Sequence, residues 1–319
     1  MRGFAAIAVL LYHLHGSSPL PTPGGYLAVD FFFALSGVVI AAAYEQRLCD
    51  GLTIAEFGVR RLIRVYPMYF AGTAIGLAAH GGTILALYPL PEFRSAYALF
   101  PVNGPMWSMF FEVVINLAYA AAALHMGRRG LAAIIAVSGA ILASAISGNG
   151  NADLGAFWAT ASIGLVRTMF SFAVGVAIWR ARVHFGLGMR TTALAWLPPV
   201  ALLATLGVNP AHRAAWDTFA IFAIMPSLVW LGACWTIPTP RSFRALGDLS
   251  YPLYCIHAPL VPFLTGSGWS IAAFGLAIVA LALCLDRAVD RPARRWLGAH
   301  FDRRYLPRLT GKSTKPASA

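Results

Sequence analysis

The chain is a succession of apolar runs separated by short polar or Pro/Gly-rich connectors. The runs fall at about residues 3–20, 25–43, 62–80, 107–125, 131–147, 160–179, 192–208, 217–236, 250–264 and 268–285. Most approach the roughly 20 residues that a helix needs to cross a bilayer. No internal repeat of fixed period accompanies them. The pattern predicts an all-α integral membrane protein, a polytopic bundle of about ten transmembrane helices over residues 1–296 with a basic tail over 297–319. The connector from Pro89 to Pro105 is long and carries little charge, and is expected to form a short re-entrant or interfacial piece.

Composition sharpens this picture. Hydrophobic residues make up 59% of the 319 and charged residues 11%, against the ~25% charge of a typical soluble domain. A soluble enzyme, a DNA-binding protein and a secreted disulfide scaffold are excluded. The net charge of +12 comes from arginine clusters between apolar runs. Assigning alternate connectors to opposite sides places all but three of the 24 Lys and Arg on one side. Arg94 and Arg213 fall on the other, and Arg167 lies inside a run. By the positive-inside rule both termini are expected in the cytoplasm, with the protein in the inner membrane and no nucleic-acid partner. The four cysteines lack paired spacing and are expected to be free, buried thiols. His13 and His15 point to different faces of a helix, so no metal site is expected.

Ionisable residues inside apolar runs are costly in lipid and mark candidate functional positions. Chief among them are His13, Asp30, Glu112, Arg167 and His257. Counted along the runs, Asp30, Glu112 and Arg167 each lie about five to seven residues from the outer end of an inward-running helix. His13 lies about 16 Å past Arg2 at ~1.5 Å per residue. The four are expected to meet in the middle-to-outer part of the bundle, with Arg167 as counter-ion to the carboxylates. Arg2 and His13 are eleven residues apart, close to three turns, and share a helix face. Spacing alone leaves two readings open: a surface anchor with a core histidine, or a functional pair.

Ser108, Glu112 and Asn116 recur at i, i+4 and i+8, a polar stripe aimed either at a cavity or at partner helices. Arg60, Arg61 and Arg64 cluster at the start of the third run. They read as a topology anchor or as a phosphate site at a helix N-terminus. Gly72 and Gly76 form a GxxxG packing motif. No GxSxG, Walker or dinucleotide fingerprint occurs.

The opening "MRGFAAIAVLLYHLHG" and "GYLAVDFFFALSGVVI" resemble the first two helices of the acyltransferase 3 family of membrane O-acyltransferases. "RRLIRVYPMYF", "GPMWSMFFEVVINLAYA", "RTMFSFAVGVAIW", "LGDLSYPLYCIHAPLV" and "DRPARRW" are similar to later stretches of that family in the same order, so the resemblance runs from Arg2 to Trp296. It implies a ten-helix enzyme that moves an acyl group, commonly acetyl, from cytoplasmic acyl-CoA to a hydroxyl of a carbohydrate, polysaccharide or glycolipid. It also implies that Arg2 and His13 are the family's Arg-x10-His motif and Glu112 its acidic position. Ser250, Tyr251 and His257 would line the cavity, with Ser36, Trp107, Ser108, Asn116 and Arg167 beside them.

On this reading His13 is the general base, and Glu112 or Asp30 orients its ring. Arg2, Arg60, Arg61 and Arg64 bind the donor's phosphates. Acyl-CoA, acetyl-CoA in the first place, is the co-substrate, and no metal is expected. Family members carry a short flank before the motif arginine, where here Met1 directly precedes Arg2. The intramembrane charges also leave open a transporter or flippase of acyl groups or glycolipids that performs no chemistry.

Overall fold

Apolar runs become helices here because lipid offers the backbone no hydrogen-bond partners, so each segment must satisfy its own. The computed structural model describes residues 1–14, 22–237, 240–263 and 270–304, without the side chains of 240–244 and 304. The helices are α1 (Arg2–His13), α2 (Ala28–Cys49), α3 (Ile54–His80), α4 (Met106–Ala122), α5 (Arg128–Asn149) and α6 (Ala161–His184). They continue with α7 (Leu197–Gly207), α8 (Arg213–Phe219), α9 (Met225–Cys234), α10 (Pro240–Leu260), α11 (Ile271–Leu285) and α12 (Arg291–Arg304). Single π turns make α8–α9 and α11–α12 continuous. Over the described residues, each of the ten apolar runs overlaps one of these helical stretches. Among the described residues, six stretches are long and apolar enough to cross a membrane by length and composition, and α1, α4 and the stretch ending in α7 are shorter apolar helices. Strand structure there is confined to Arg190–Thr191 paired in parallel with Trp235–Thr236. The protein is an all-α membrane protein.

Two helices begin well before their apolar runs. α3 starts at Ile54 because Thr53 caps it, its Oγ1 accepting from the Glu56 N–H at 3.1 Å, the usual use of a threonine at that position. α10 starts at Pro240 rather than near 250. The first turns of both carry charged residues, which hide them from a reading of hydropathy. In consequence Arg60, Arg61 and Arg64 stand well inside α3. The helix-end argument for a phosphate site at this cluster is therefore overturned.

The most extensive packing joins α2 to α6, α1 to α10, α10 to α3 and α5 to α6. α10 is held between α1 and α3 by close backbone approach. A Cβ on Gly3 would collide with the Leu246 carbonyl, and one on Gly72 with the Cys255 carbonyl. The connector after α3 is tied to the segment before α6, with Leu99 N donating to Ala156 O at 3.1 Å and Trp158 N to Tyr97 O at 3.0 Å. It then turns inward. Asn103 Nδ2 donates to Cys255 O at 2.9 Å and packs at Gly72, eight residues or ~12 Å below the His80 end of α3. α4 therefore begins at depth, which accounts for its shortness.

All four cysteines are free, but only Cys255 is buried, and Cys49 and Cys284 are exposed. The expectation of buried thiols fails because an apolar run does not say which side of its helix faces a neighbour. The boundary expected at 296 falls inside α12, where Phe301 is buried and Asp302 meets Arg60 at 2.9 Å. His15 and residues 305–319 of the basic tail lie outside the described residues.

Candidate active site

Helices α1, α2, α3, α4 and α10 enclose a cavity of about 140 Å³. Its polar lining is Arg2, Ser36, Arg61, Arg64, Ser108, Glu112, Ser250, Tyr251 and Tyr254, set among Val29, Phe32, Phe33 and Met109. Glu112 is held from two sides at one oxygen. Ser36 Oγ donates to its Oε1 at 2.6 Å and Arg61 Nη2 at 3.1 Å. Arg64 lies over the Tyr251 ring, 5.1 Å from its centroid, and the Tyr251 hydroxyl donates to Val65 O. Ser250 Oγ donates to Gly247 O at 2.6 Å.

The Nε atoms of Arg2 and Arg61 are buried and have no hydrogen-bond partner among the described residues. Three guanidiniums thus face one carboxylate. Surplus positive charge and unused, geometrically fixed donors suit an anionic ligand. A more open groove of about 430 Å³ shares Arg64 and Tyr251 with this cavity and is otherwise lined by Asp248, Pro252, Asp286, Asp290, Arg291, Arg294 and Arg295. Its charges are largely paired already, Arg291 with Asp286 at 2.7 Å and Arg294 with Asp290 at 2.8 Å.

At the opposite end of α1, His13 meets His257 of α10. His13 Nδ1 lies 3.3 Å from His257 Nε2, with ring centroids 4.8 Å apart and planes at 70°. Tyr254 stands between this pair and the cavity. Its ring is 5.7 Å from His257, and its hydroxyl is 2.7 Å from Ser108 Oγ. Arg2 and His13, on one face of α1, are separated by ~16 Å of helix.

A third cluster is closed. Arg167 Nε donates to both oxygens of Asp30 at 2.9 and 3.1 Å, and its Nη2 reaches Asp30 Oδ2 at 2.5 Å. Its Nη1 donates to Leu154 O at 3.1 Å and its Nη2 also to Tyr26 O at 2.8 Å, and Ser171 Oγ donates to Asp30 Oδ1 at 3.3 Å. Trp107 packs against the guanidinium, 5.9 Å from ring centroid to Cζ. None of these residues lines the cavity.

The four residues expected to converge are therefore distributed over three places. Arg167 meets Asp30, Glu112 takes Arg61, and His13 takes His257. Glu112 lies level with Arg61, nineteen residues or ~28 Å from the His80 end of α3, far from the end that the charge count assigned to the outside. Depth counted along the sequence misplaced it because α4 starts far inside. Asn116 is fully buried, neither amide atom has a partner among the described residues, and it lines no part of the cavity. Arg60 is engaged by Glu56 at 3.0 Å and Asp302 at 2.9 Å, also outside the cavity. Tyr254 was not singled out from sequence. The signal was present, since Ser250, Tyr254 and His257 recur at i, i+4 and i+7 on α10.

A family model described as an acyltransferase domain matches residues 1–286, from α1 to the end of α11. The chain belongs to the acyltransferase 3 family. Protein 2 in the picA locus of Rhizobium radiobacter is 29% identical over 174 residues, which is 44% of this chain and 89% of that protein. O-acetyltransferase OatA of Staphylococcus aureus is 36% identical over 69 residues, 21% of this chain but only 11% of OatA. No solved structure matches the chain significantly. Within the acyltransferase 3 match lie the arginine-lined cavity, both histidines and the closed ion pair. Family membership makes this protein a membrane acyltransferase.

Proposed function

We propose that the protein is an O-acyltransferase that moves an acyl group, acetyl in the first place, from cytoplasmic acyl-CoA to a hydroxyl of a carbohydrate or glycolipid. One observation carries this reading: Arg2 and His13 stand on one face of α1, the first opening on a cavity rich in guanidinium and the second three turns away in the bundle. Arg2, Arg61 and Arg64 would hold the phosphate-bearing donor, and the interval along α1 is of the length a pantetheine arm must cover. His13 takes the proton of the acceptor hydroxyl on Nε2 as the O–H bond breaks. The acceptor oxygen bonds to the acyl carbon and the C–S bond breaks. His13 then returns the proton to the leaving thiolate, so the imidazole ends neutral and the free thiol departs. Glu112 serves by fixing Arg61 at the donor end, and Asp30 by holding Arg167.

The arginine distribution supports ten spans in the inner membrane with both termini cytoplasmic, which puts Arg2 and the cavity on the side where acyl-CoA is made. Reporter fusions after residues 85–100, 150, 212 and 266 should read external, and those after 128, 186, 244 and 310 cytoplasmic. The decisive assay incubates membranes with labelled acetyl-CoA and follows label into extracted carbohydrate. Label on sugar that disappears with His13→Ala supports the reading. Movement of intact donor or glycolipid across the membrane with no label transferred overturns it in favour of transport.

A further inference from the structure

We propose, on the reading of His13 as general base, that His257 is its positioning residue: it fixes the tautomer of His13 so that Nε2 is the basic nitrogen. His257 Nδ1 lies 3.1 Å from Leu253 O and 2.9 Å from Tyr254 O. Carbonyl oxygens only accept, so this nitrogen carries the proton, and in the neutral ring Nε2 is left with a lone pair. That lone pair faces His13 Nδ1 at 3.3 Å, and His13 Nδ1 is also 2.9 Å from Val9 O. Both of these neighbours accept, so His13 Nδ1 carries the proton and shares it between them. Any other neutral arrangement sets a lone pair against a carbonyl oxygen.

Flipping the His13 ring would replace Nδ1 by a carbon and forfeit both contacts. Tyr12 packs edge-on against the same ring, with centroids 5.3 Å apart and planes at 86°. His13 Nε2 is therefore the nitrogen left to receive a proton.

This arrangement places a neutral imidazole where a carboxylate orients the base in other hydrolytic and acyl-transfer sites. The carboxylates that sequence suggested for the task are committed elsewhere, Asp30 to Arg167 and Ser171, Glu112 to Ser36 and Arg61. When His13 becomes an imidazolium, its Nδ1–H still has His257 Nε2 as acceptor. The base is steered without a permanent negative charge buried beside it. Two helices enforce the contact, α1 and α10, whose close approach at Gly3 and Leu246 sets their spacing.

The test has two readouts. In His257→Leu, which removes the acceptor, kcat for acetyl transfer should fall ~10- to 100-fold, while KM for acetyl-CoA stays within about twofold and melting is unchanged. In His257→Gln, whose amide oxygen can reach the same position, most of the activity should return. Independently of turnover, ¹⁵N spectra of histidine-labelled protein in bilayers, assigned with His13→Ala, should show wild-type His13 protonated at Nδ1 and bare at Nε2. A wild-type His13 carrying its proton on Nε2 overturns the proposal, as does a His257→Leu protein with wild-type kcat, or a folded His257→Gln protein as impaired as His257→Leu. If the wild type transfers no acyl group at all, the general-base reading fails by itself and the spectrum still decides the tautomer. If His257→Leu does not fold, the wild-type spectrum is decisive.

Discussion

Asp30–Arg167 and Glu112–Arg61 are both carboxylate–guanidinium pairs between helices of one bundle, yet only in the first does every nitrogen of the arginine donate. Arg167 is fully buried, and its Nε, Nη1 and Nη2 all donate to Asp30, Leu154 O or Tyr26 O. Glu112 receives both of its partners on one oxygen, Arg61 leaves Nε unpartnered, and both side chains border a cavity shared with Arg2 and Arg64. An intramembrane charge marks a cost. Whether that cost serves packing or ligand binding is told by how many donors remain unspent. The Asp30–Arg167 pair is a strut joining α2 to α6, and the Glu112–Arg61 pair borders the cavity with donors to spare.

The largest expected effect tests the strut. Removing one partner of a fully buried pair leaves an uncompensated charge and costs ~3–5 kcal/mol, so Arg167→Ala should abolish recovery of folded protein from membranes. Asp30→Leu combined with Arg167→Met should restore much of it, read by yield and melting in detergent. An Arg167→Ala protein that melts like wild type but transfers nothing would place this pair in the catalytic machinery and break the distinction.

Next in size, His13→Ala should lower kcat by ~10²- to 10⁴-fold, the usual contribution of a general base, with melting unchanged. The cavity arginines give smaller effects of a different kind. Arg61→Gln and Arg64→Gln should each raise KM for acyl-CoA about tenfold, equivalent to ~1.4 kcal/mol, and lower kcat less. Arg2→Gln, on the helix that carries His13, should move both constants. The smallest effect is expected at Arg60. Its partners are Glu56 and the half-exposed Asp302, and a surface pair such as the second contributes ~0–1 kcal/mol. Arg60→Gln should leave KM within about twofold. A tenfold rise would show that the three arginines act as one site after all.

Part of the site was legible in the residues themselves. The polar spacing on α1 and α4 pointed to Arg2, His13, Ser108 and Glu112, the cost of an ionisable group in an apolar run pointed to His257, and family resemblance added Ser250 and Tyr251. The partners were not legible. Asp30 and Glu112 look equivalent in sequence, each an acid in an apolar run, and nothing in either run says that one meets Arg167 and the other Arg61. Tyr254 and the charged groove around Asp286 and Arg294 passed unnoticed, the first as an aromatic in an apolar run and the second as an ordinary basic helix end.

What the sequence determined by itself is the class and the order of elements. Residues that pass through lipid must be apolar and must close their own backbone hydrogen bonds, so apolar runs of this length become helices, and the few ionisable residues inside them stand out by their cost. What only the tertiary structure decided is which of those residues meet. That depends on the depth at which each helix starts and on its rotation. Thr53 sets the start of α3, the inward turn through Asn103 sets the start of α4, and the glycine-mediated contacts of α10 with α1 and α3 set the rotation of α10. A shift of one residue along a helix turns a side chain by ~100° and lifts it by ~1.5 Å. For that reason pairings such as His13 with His257, 244 residues apart, are fixed by packing rather than by any local pattern.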